Sequence, residues 1–282
     1  MKISISIPTY NRLENVRQLS KSLRNVNNIK NHHIRIYDDA STEFGKEELI
    51  KIFPNAVIKV NKHNRGADIN TYQICKNFLM TDDDILLLCD SDLILHPESL
   101  DFIENHIKQT DGILSIFNSS AHSKVCDFSD KFILKDSVGA AGTVFTQTIM
   151  QELINNISEE QANFWDWSFC AYLREKGKRI FVSKQSYVMH TGIDGENSNI
   201  MLFEFSQNYQ PGTNFEEEQL NKLNQKFINA YTSILLKEKI SILMDKRKRY
   251  ILRKVVSTLF GKNTLAKLLS WRKRRLQDKK GN

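Results

Sequence analysis

The chain changes its hydrophobic period repeatedly over its first 120 residues. In "KISISIPT" the apolar side chains Ile3, Ile5 and Ile7 fall on alternate positions and the run stops at Pro8, the pattern of a β-strand. Leu13, Val16, Leu19, Leu23 and Val26 then recur at spacings of 3, 3, 4 and 3, which places them on one face of a helix. Short strands are predicted in "HIRIYDD", "AVIKV", "ILLLC" and "GILSIF". Between them, "EELIKIF", "GADINTYQICKNFLM" and "HPESLDFIENHIKQ" read as helices. The second turns Ile69, Tyr72, Cys75, Phe78 and Leu79 inward, and the third has Pro97 near its first turn, where a missing N–H costs nothing. Strands alternating with helices predict an α/β fold, a mostly parallel sheet flanked by helices, and the unbroken apolar "ILLLC" is a strand buried on both faces.

From residue 215 onward the alternation stops and the pattern is helical only. The expected organisation is therefore an α/β domain over 1–212 and an α-helical C-terminal extension over 213–282. Composition (40% hydrophobic, 26% charged) is that of an ordinary soluble protein, and no window approaches the ~18–20 apolar residues of a membrane span. "MKISISIPTYN" has too short an apolar run for a signal peptide. Cys75, Cys89, Cys126 and Cys170 form no CxxC pair and are expected to be reduced thiols in or near the core of a cytoplasmic protein.

Charge alters this picture. Residues 237–282 hold 16 Lys and Arg against 3 Asp and Glu, while the preceding 236 residues hold 24 against 30. A mildly acidic body thus carries a strongly basic tail, which points to two parts with different work.

Polar residues follow each predicted strand: Tyr10 and Asn11 the first, Asp38 and Asp39 the second, Asn61 to Arg65 the third, Asp90 and Asp92 the fourth. In a parallel sheet these lie along one edge, where ligands bind. An acidic pair on the lip of a buried strand suits a divalent cation, because hard cations take oxygen ligands. By itself "DSD" equally suits a solvated turn or a helix cap, and Asp82 to Asp84 are expected to be only a solvated turn. Phosphohydrolases of the haloacid dehalogenase type place Asp-x-Asp after the first strand and follow it with Thr or Val; here the pair lies late and Leu93 follows. No GxGxxG, GKS or GKT marks a nucleotide loop.

Taken together, "SIPTYNR", "YDDAST", "NRG" and "LLLCDSD" resemble the N-terminal half of GT-A glycosyltransferases, family 2-like enzymes above all. "FWDWSFCAYLREKGKRI" resembles that family's acceptor-side acidic motif, and "SYVMHTGIDGENSN" its histidine strand and flexible loop. The resemblance covers about residues 1–200 and divides the catalytic domain into a nucleotide-sugar half, about 1–95, and an acceptor half, about 96–212. It implies that Pro8, Thr9, Tyr10 and Arg12 line the base and ribose, that Asp39 bonds the base, and that Arg65 and Gly66 lie near the diphosphate. It further implies that Asp90 and Ser91 contact the sugar nucleotide, that Asp90, Asp92 and His190 hold Mn2+ or Mg2+, and that Asp166 is the catalytic base. Trp165, Trp167 and Gly142 would form the acceptor side.

Each role has a chemical reason. Departure of a nucleoside diphosphate builds negative charge that a divalent ion neutralises, and His190 can join such an ion as neutral imidazole. A histidine at a strand end also serves as a plain structural hydrogen-bonding group. An inverting transfer needs one base for the acceptor hydroxyl, and apolar walls beside Asp166 would raise its pKa; the alternative for Asp166 is a helix N-cap. The loop after His190 reads as a lid, and Gly139 and Gly142 as points of close backbone approach to a ligand.

In the tail, "YILRKVVSTLF" and "TLAKLLSWRKRRL" interleave Leu, Val, Phe and Trp271 with Lys and Arg. A basic amphipathic helix suits peripheral membrane contact through 240–280, at the inner face of the plasma membrane, and equally a helical appendage packed on protein as in a homo-oligomer. No module for nucleic acid accompanies it. The expected function is metal-dependent transfer of a hexose or N-acetylhexosamine from a nucleotide sugar, with UDP favoured because Asp39 suits the imide edge of uracil. The acceptor would be a hydroxyl of a glycan, glycoprotein or lipid-linked precursor in cell-surface or protein-linked glycan assembly, with inversion. The alternatives are a retaining GT-A transferase and a non-catalytic GT-A-like glycan-binding partner.

Overall fold

A computed structural model of the chain describes residues 1–193, 203–233 and 236. The loop after His190 from residue 194 and the basic tail, including Trp271, thus lie outside the described residues.

Four strands form the parallel part of the main sheet: β1 (Ile3–Thr9), β2 (His33–Asp38), β3 (Val57–Val60) and β4 (Ile85–Leu88). They pair in parallel in the order β3-β2-β1-β4, with Ile7 beside Ile36 and Ile5 beside Leu87. The sheet continues through β9 (Thr143–Thr146), β6 (Ile113–Ser115), β10 (Ile180–Ser183), β8 (Phe132–Lys135) and β7 (Lys124–Asp127), where only β6 and β10 run parallel to each other. A separate two-stranded ribbon pairs β5 (Leu93–Leu95) with β11 (Val188–His190) antiparallel.

Side-chain alternation builds two cores from this one sheet. Ile3, Ile5, Ile7, Ile85 and Leu87 face the layer that holds Val16, Leu19 and Leu23 of α1 (Leu13–Leu23), Leu49 of α2 (Lys46–Ile52) and Leu100 of α4 (Ser99–His106). Leu86 and Leu88 face the opposite layer, with Phe78 of α3 (Ala67–Phe78), Leu153 of α5 (Gln147–Asn156) and Phe169 of α6 (Trp165–Glu175). A strand with helices on both faces needs no polar side, which is why "ILLLC" has none. Helix α3 buries more than one stripe: Ile74, Asn70 and Thr71 go inside with Tyr72, Cys75 and Phe78, while Ile69 and Leu79 are only partly covered. Asn70 tolerates this because its Nδ2 donates to the Tyr37 carbonyl.

Two expectations are corrected here. Asp83 is no solvated turn residue: it is buried, accepting from the Arg35 guanidinium at 2.7 Å and meeting His33 Nδ1 at 2.6 Å. Cys126 is exposed on β7, unlike Cys75, Cys89 and Cys170. Residues 214–233 are helical, and the chain divides into two units after Leu223. Buried Glu216 belongs to the first unit, accepting from the Tyr209 hydroxyl and the Gly212 N–H.

Candidate active site

The parallel strands β1, β2, β3 and β4 end on one edge, and the residues that follow them border a cleft of about 580 Å³. Pro8, Thr9, Tyr10, Arg12, Asp39, Gly66, Asp90, Ser91, Asp92, Trp165, Asp166 and His190 all line it. A second groove, of about 630 Å³, has apolar walls including Leu23, Ile34 and Phe53, and its described lining contains no carboxylate. The candidate site is therefore the first.

At its floor, the β5–β11 register sets His190 opposite Leu93, and Thr191 donates its N–H and hydroxyl to the Asp92 carbonyl. This brings His190 Nε2 to 3.4 Å from Asp92 Oδ2, the oxygen that also accepts from Arg12 Nη1 at 2.9 Å. Burial pushes the Asp92 carboxyl up, but His190 and Arg12 override it and hold the group down at about 2. Burial works the other way on His190, and Asp92 nonetheless keeps its pKa raised. Asp90 is raised by burial and then by the charge of Asp92. Among the described residues, Asp92 Oδ1, His190 Nδ1 and Arg12 Nε are buried without a hydrogen-bond partner.

A buried carboxylate oxygen without a partner, on a group that meets an imidazole, fits a divalent cation. Among the described residues, however, no three His, Cys, Asp or Glu side chains are gathered closely enough to hold a metal by themselves. Asp92 and His190 meet; Asp90 borders the same cleft without joining them.

The loop after β1 is held in an uncommon shape. Asn11 (φ 52°) and Arg12 (φ 59°) are both left-handed, although neither is glycine. Such residues persist where the surroundings hold them, and here the segment after β2 does so. Asn11 Oδ1 accepts from the N–H groups of Thr42 and Glu43, Ser41 Oγ accepts from the Asn11 N–H, and Glu43 Oε2 accepts from the Arg12 N–H. Thr9 lines the cleft, but its hydroxyl donates to Asp38 at 3.0 Å.

Asp39 is engaged by the protein itself. Its carboxylate accepts from Asn61 Nδ2 at 2.7 Å, from the Arg65 N–H at 3.0 Å and from the Gly66 N–H at 2.9 Å. It thereby folds the "NRG" loop against the end of β2, with Gly66 at φ 87°. The Arg65 guanidinium does not line the cleft and pairs with Glu159 Oε1 at 2.7 Å. Glu159 opens the short helix Glu159–Phe164 that leads into α6, and it also accepts from Gln73 Nε2.

On the acceptor side, Trp165 is buried edge-on against Phe169 with ring centroids 5.2 Å apart. Asp166 follows at the start of α6, accepts from the Trp167 N–H, and has its pKa raised by burial. Trp167 itself is 60% exposed and does not line the cleft. Gly142 is also removed from it. At φ 66°, a Cβ there would lie 3.1–3.3 Å from Val188, Ile116 and Phe117, so its close approach is to core side chains.

Asn11, expected at this edge, lines the cleft, and so do Glu43 and Asp68, which sequence reasoning passed over. Asp68 stands in the first turn of α3, its pKa raised by burial and by the charge of Asp166. Its one signal was its place two residues after the "NRG" glycine.

The family model for glycosyl transferase family 2 matches residues 4–180, more than half of the chain. A dolichol-phosphate mannosyltransferase of Pyrococcus furiosus is 27% identical over 108 residues, 38% of this chain and 30% of its own length. The S. aureus TarS 1–349 structure in complex with UDP superposes with a TM-score of 0.50 at 19% identity, covering 67% of this chain and 60% of that one. The corresponding complex with UDP-GlcNAc gives 0.50 and 19%, covering 70% and 60%. This chain therefore spans less than a third of the curated relative and about 60% of the TarS fragment. The structural likeness is one of fold, and it agrees with the GT-A arrangement of a largely parallel nucleotide half joined to a mixed acceptor half. The family match takes in Asp39, Asp92 and Asp166 and stops ten residues short of His190. On the strength of that match, running from within β1 to the first residue of β10, the chain belongs to glycosyl transferase family 2.

Proposed function

We propose that this protein transfers a hexose or N-acetylhexosamine from a UDP-sugar to a glycan hydroxyl, with inversion and with a divalent cation. The observation that carries the reading is the convergence of Arg12, Asp92, His190 and Asp166 on a single cleft at the strand ends. A cation held by Asp92 and His190, with the donor phosphates completing its shell, would neutralise the charge that develops on the leaving diphosphate. Asp90 and Ser91 stand beside it for the ribose, and Tyr10 offers a ring to the base. The Gly66 backbone, which has no side chain in the way, faces the phosphates. Arg65 reaches them only by leaving Glu159. Asp166 accepts the proton of the attacking hydroxyl, with buried Trp165 as the apolar wall that raises its pKa.

The TarS complexes with UDP and UDP-GlcNAc agree with a uridine donor. The experiment is a thermal-shift panel of UDP, GDP, CMP and dTDP, each with and without Mn2+. A midpoint raised by UDP only with Mn2+, and not in Asp92→Asn, supports the reading through mass action. A shift with another nucleotide overturns the uridine assignment, and no shift with any of them overturns the donor site.

Among the described residues no helix is long and apolar enough to cross a membrane. For the basic tail we infer peripheral attachment to an anionic leaflet, each Lys or Arg near the surface contributing about 1 kcal/mol. Flotation with anionic vesicles that is unchanged on removing residues 237–282 would overturn that assignment.

A further inference from the structure

One oxygen, Asp92 Oδ2, carries two partners at once. Arg12 Nη1 lies 2.9 Å away and His190 Nε2 3.4 Å away. The backbone closes over this group from the side. A Cβ on Gly192 would collide with Asp92 Oδ2 and fall 3.0 Å from Arg12 Nη2, so a side chain at position 192 would force this group to shift. Arg12 is aimed here by the left-handed pair Asn11–Arg12 and by Glu43, which accepts from its N–H. Its Nε is buried and has no partner among the described residues. The guanidinium is thus held to the carboxylate by Nη1 alone, and its Nε is left without a partner.

We propose that Arg12 is a resident cation on Asp92 that competes with the divalent ion and is drawn off by the donor's diphosphate, making metal binding depend on nucleotide. The inference rests on the donor-site reading above and goes beyond it.

The physical basis is exclusion and repulsion. An ion held by Asp92 and His190 either displaces the Arg12 nitrogen from Oδ2 or settles on the unpartnered Oδ1 of the same carboxylate, and in both cases a second positive charge within a few ångströms opposes its entry. A diphosphate offers the guanidinium what a single carboxylate oxygen does not, a pair of anionic acceptors matched to its planar fork. Moving Arg12 onto the phosphates frees Asp92 and removes the repulsion in one step. By reciprocity, metal and nucleotide each tighten the other's binding by the same factor. Asp92 and His190 would meanwhile be kept in place by Arg12 and not left as a buried, unpaired anion.

The test is Mn2+ binding to the full chain, followed by the paramagnetic resonance signal of the free ion, with and without UDP and corrected for Mn2+ held by UDP alone. Wild type is expected to bind Mn2+ weakly by itself and about tenfold or more tightly with UDP, within the range usual for coupled sites. In Arg12→Gln, Mn2+ binding without UDP should tighten by about threefold or more, and the further gain from UDP should shrink by the same factor without vanishing, because the donor phosphates still complete the ion's shell. Arg12→Asn is the second variant, because Asn tolerates left-handed backbone and so keeps the loop should the glutamine protein fold poorly. If folded Arg12 variants match wild type in Mn2+ affinity and in UDP coupling, the inference is overturned. Asp92→Asn tells the two failures apart. Loss of Mn2+ binding there, with Arg12 variants behaving as wild type, removes only the role of Arg12. Unchanged Mn2+ binding in Asp92→Asn removes the donor-site reading and this inference together.

Discussion

The guanidinium of Arg65 meets the carboxylate of Glu159 at 2.7 Å, joining the loop after β3 to the short helix that runs straight into Asp166. Gln73 and Lys76 of α3 approach the other Glu159 oxygen. A residue whose backbone N–H is held by Asp39 thus spends its charge on the helix that leads into α6.

Both partners of that pair are partly exposed, and such pairs are worth about 0–1 kcal/mol. Glu159→Gln should accordingly lower stability to urea by less than about 1 kcal/mol. It should also lower the Kd for UDP, since Arg65 is released toward the phosphates. Calorimetric titration showing weaker UDP binding would mean that Glu159 positions Arg65 for the donor and does not hold it back.

Asp39 makes a different prediction. Its carboxylate accepts two backbone N–H groups and the Asn61 amide. Asn at this position has one acceptor oxygen and brings two donors, so Asp39→Asn should cost about 1–3 kcal/mol by urea denaturation, the usual penalty for buried groups left unsatisfied. Stability equal to wild type, with loss of UDP binding alone, would instead make Asp39 a reader of the base.

For Asp166, the role as base predicts a defect confined to turnover. Asp166→Asn should lower kcat by about 10²–10⁴ while the thermal shift with UDP and Mn2+ persists. Because burial raises the Asp166 carboxyl, the acid limb of the wild-type pH profile should lie above the ordinary aspartate range near about 3.9. Activity retained in Asp166→Asn would remove the role.

Acid stability should depend on a group far from the chemistry. Burial alone would raise Asp83, but hydrogen bonds from Arg35 and His33 leave its carboxyl below the usual range. A depressed folded-state pKa means that the unfolded chain binds the proton first. The contribution is therefore complete above the unfolded value of about 3.9 and is lost as pH falls through the lower folded value. Asp83→Asn should be less stable than wild type at pH 7, and the gap should close as the pH drops. A gap that stays constant down to acid pH would show that Asp83 acts by packing alone.

The elements of the nucleotide half were legible because they depend on neighbours within about ten residues. Alternating Ile3, Ile5 and Ile7 can only be a strand with one apolar face, and unbroken "ILLL" needs cover on both. Once four such strands run parallel, the ends that carry Tyr10, Asp39, Arg65 and Asp92 must share one edge. The edge that bears the candidate site was therefore implicit in the sequence. Its internal pairings were not, because they are decided by competition between groups of similar chemistry. His190 reaches Asp92 only through the register of two strands lying about a hundred residues apart. Arg12 and not Arg65 lies on the acidic group, because a left-handed turn braced by Glu43 aims it there. Asp39 is taken by backbone N–H groups, Thr9 by Asp38, and Gly142 by the core. Asp83 sits in an acidic run that a sequence shows as uniform, and only β2 beneath it brings Arg35 and His33 within reach. Periodicity is a local property that a chain carries in its order of residues. Which carboxylate meets which cation depends on distances that exist only once the sheet has closed.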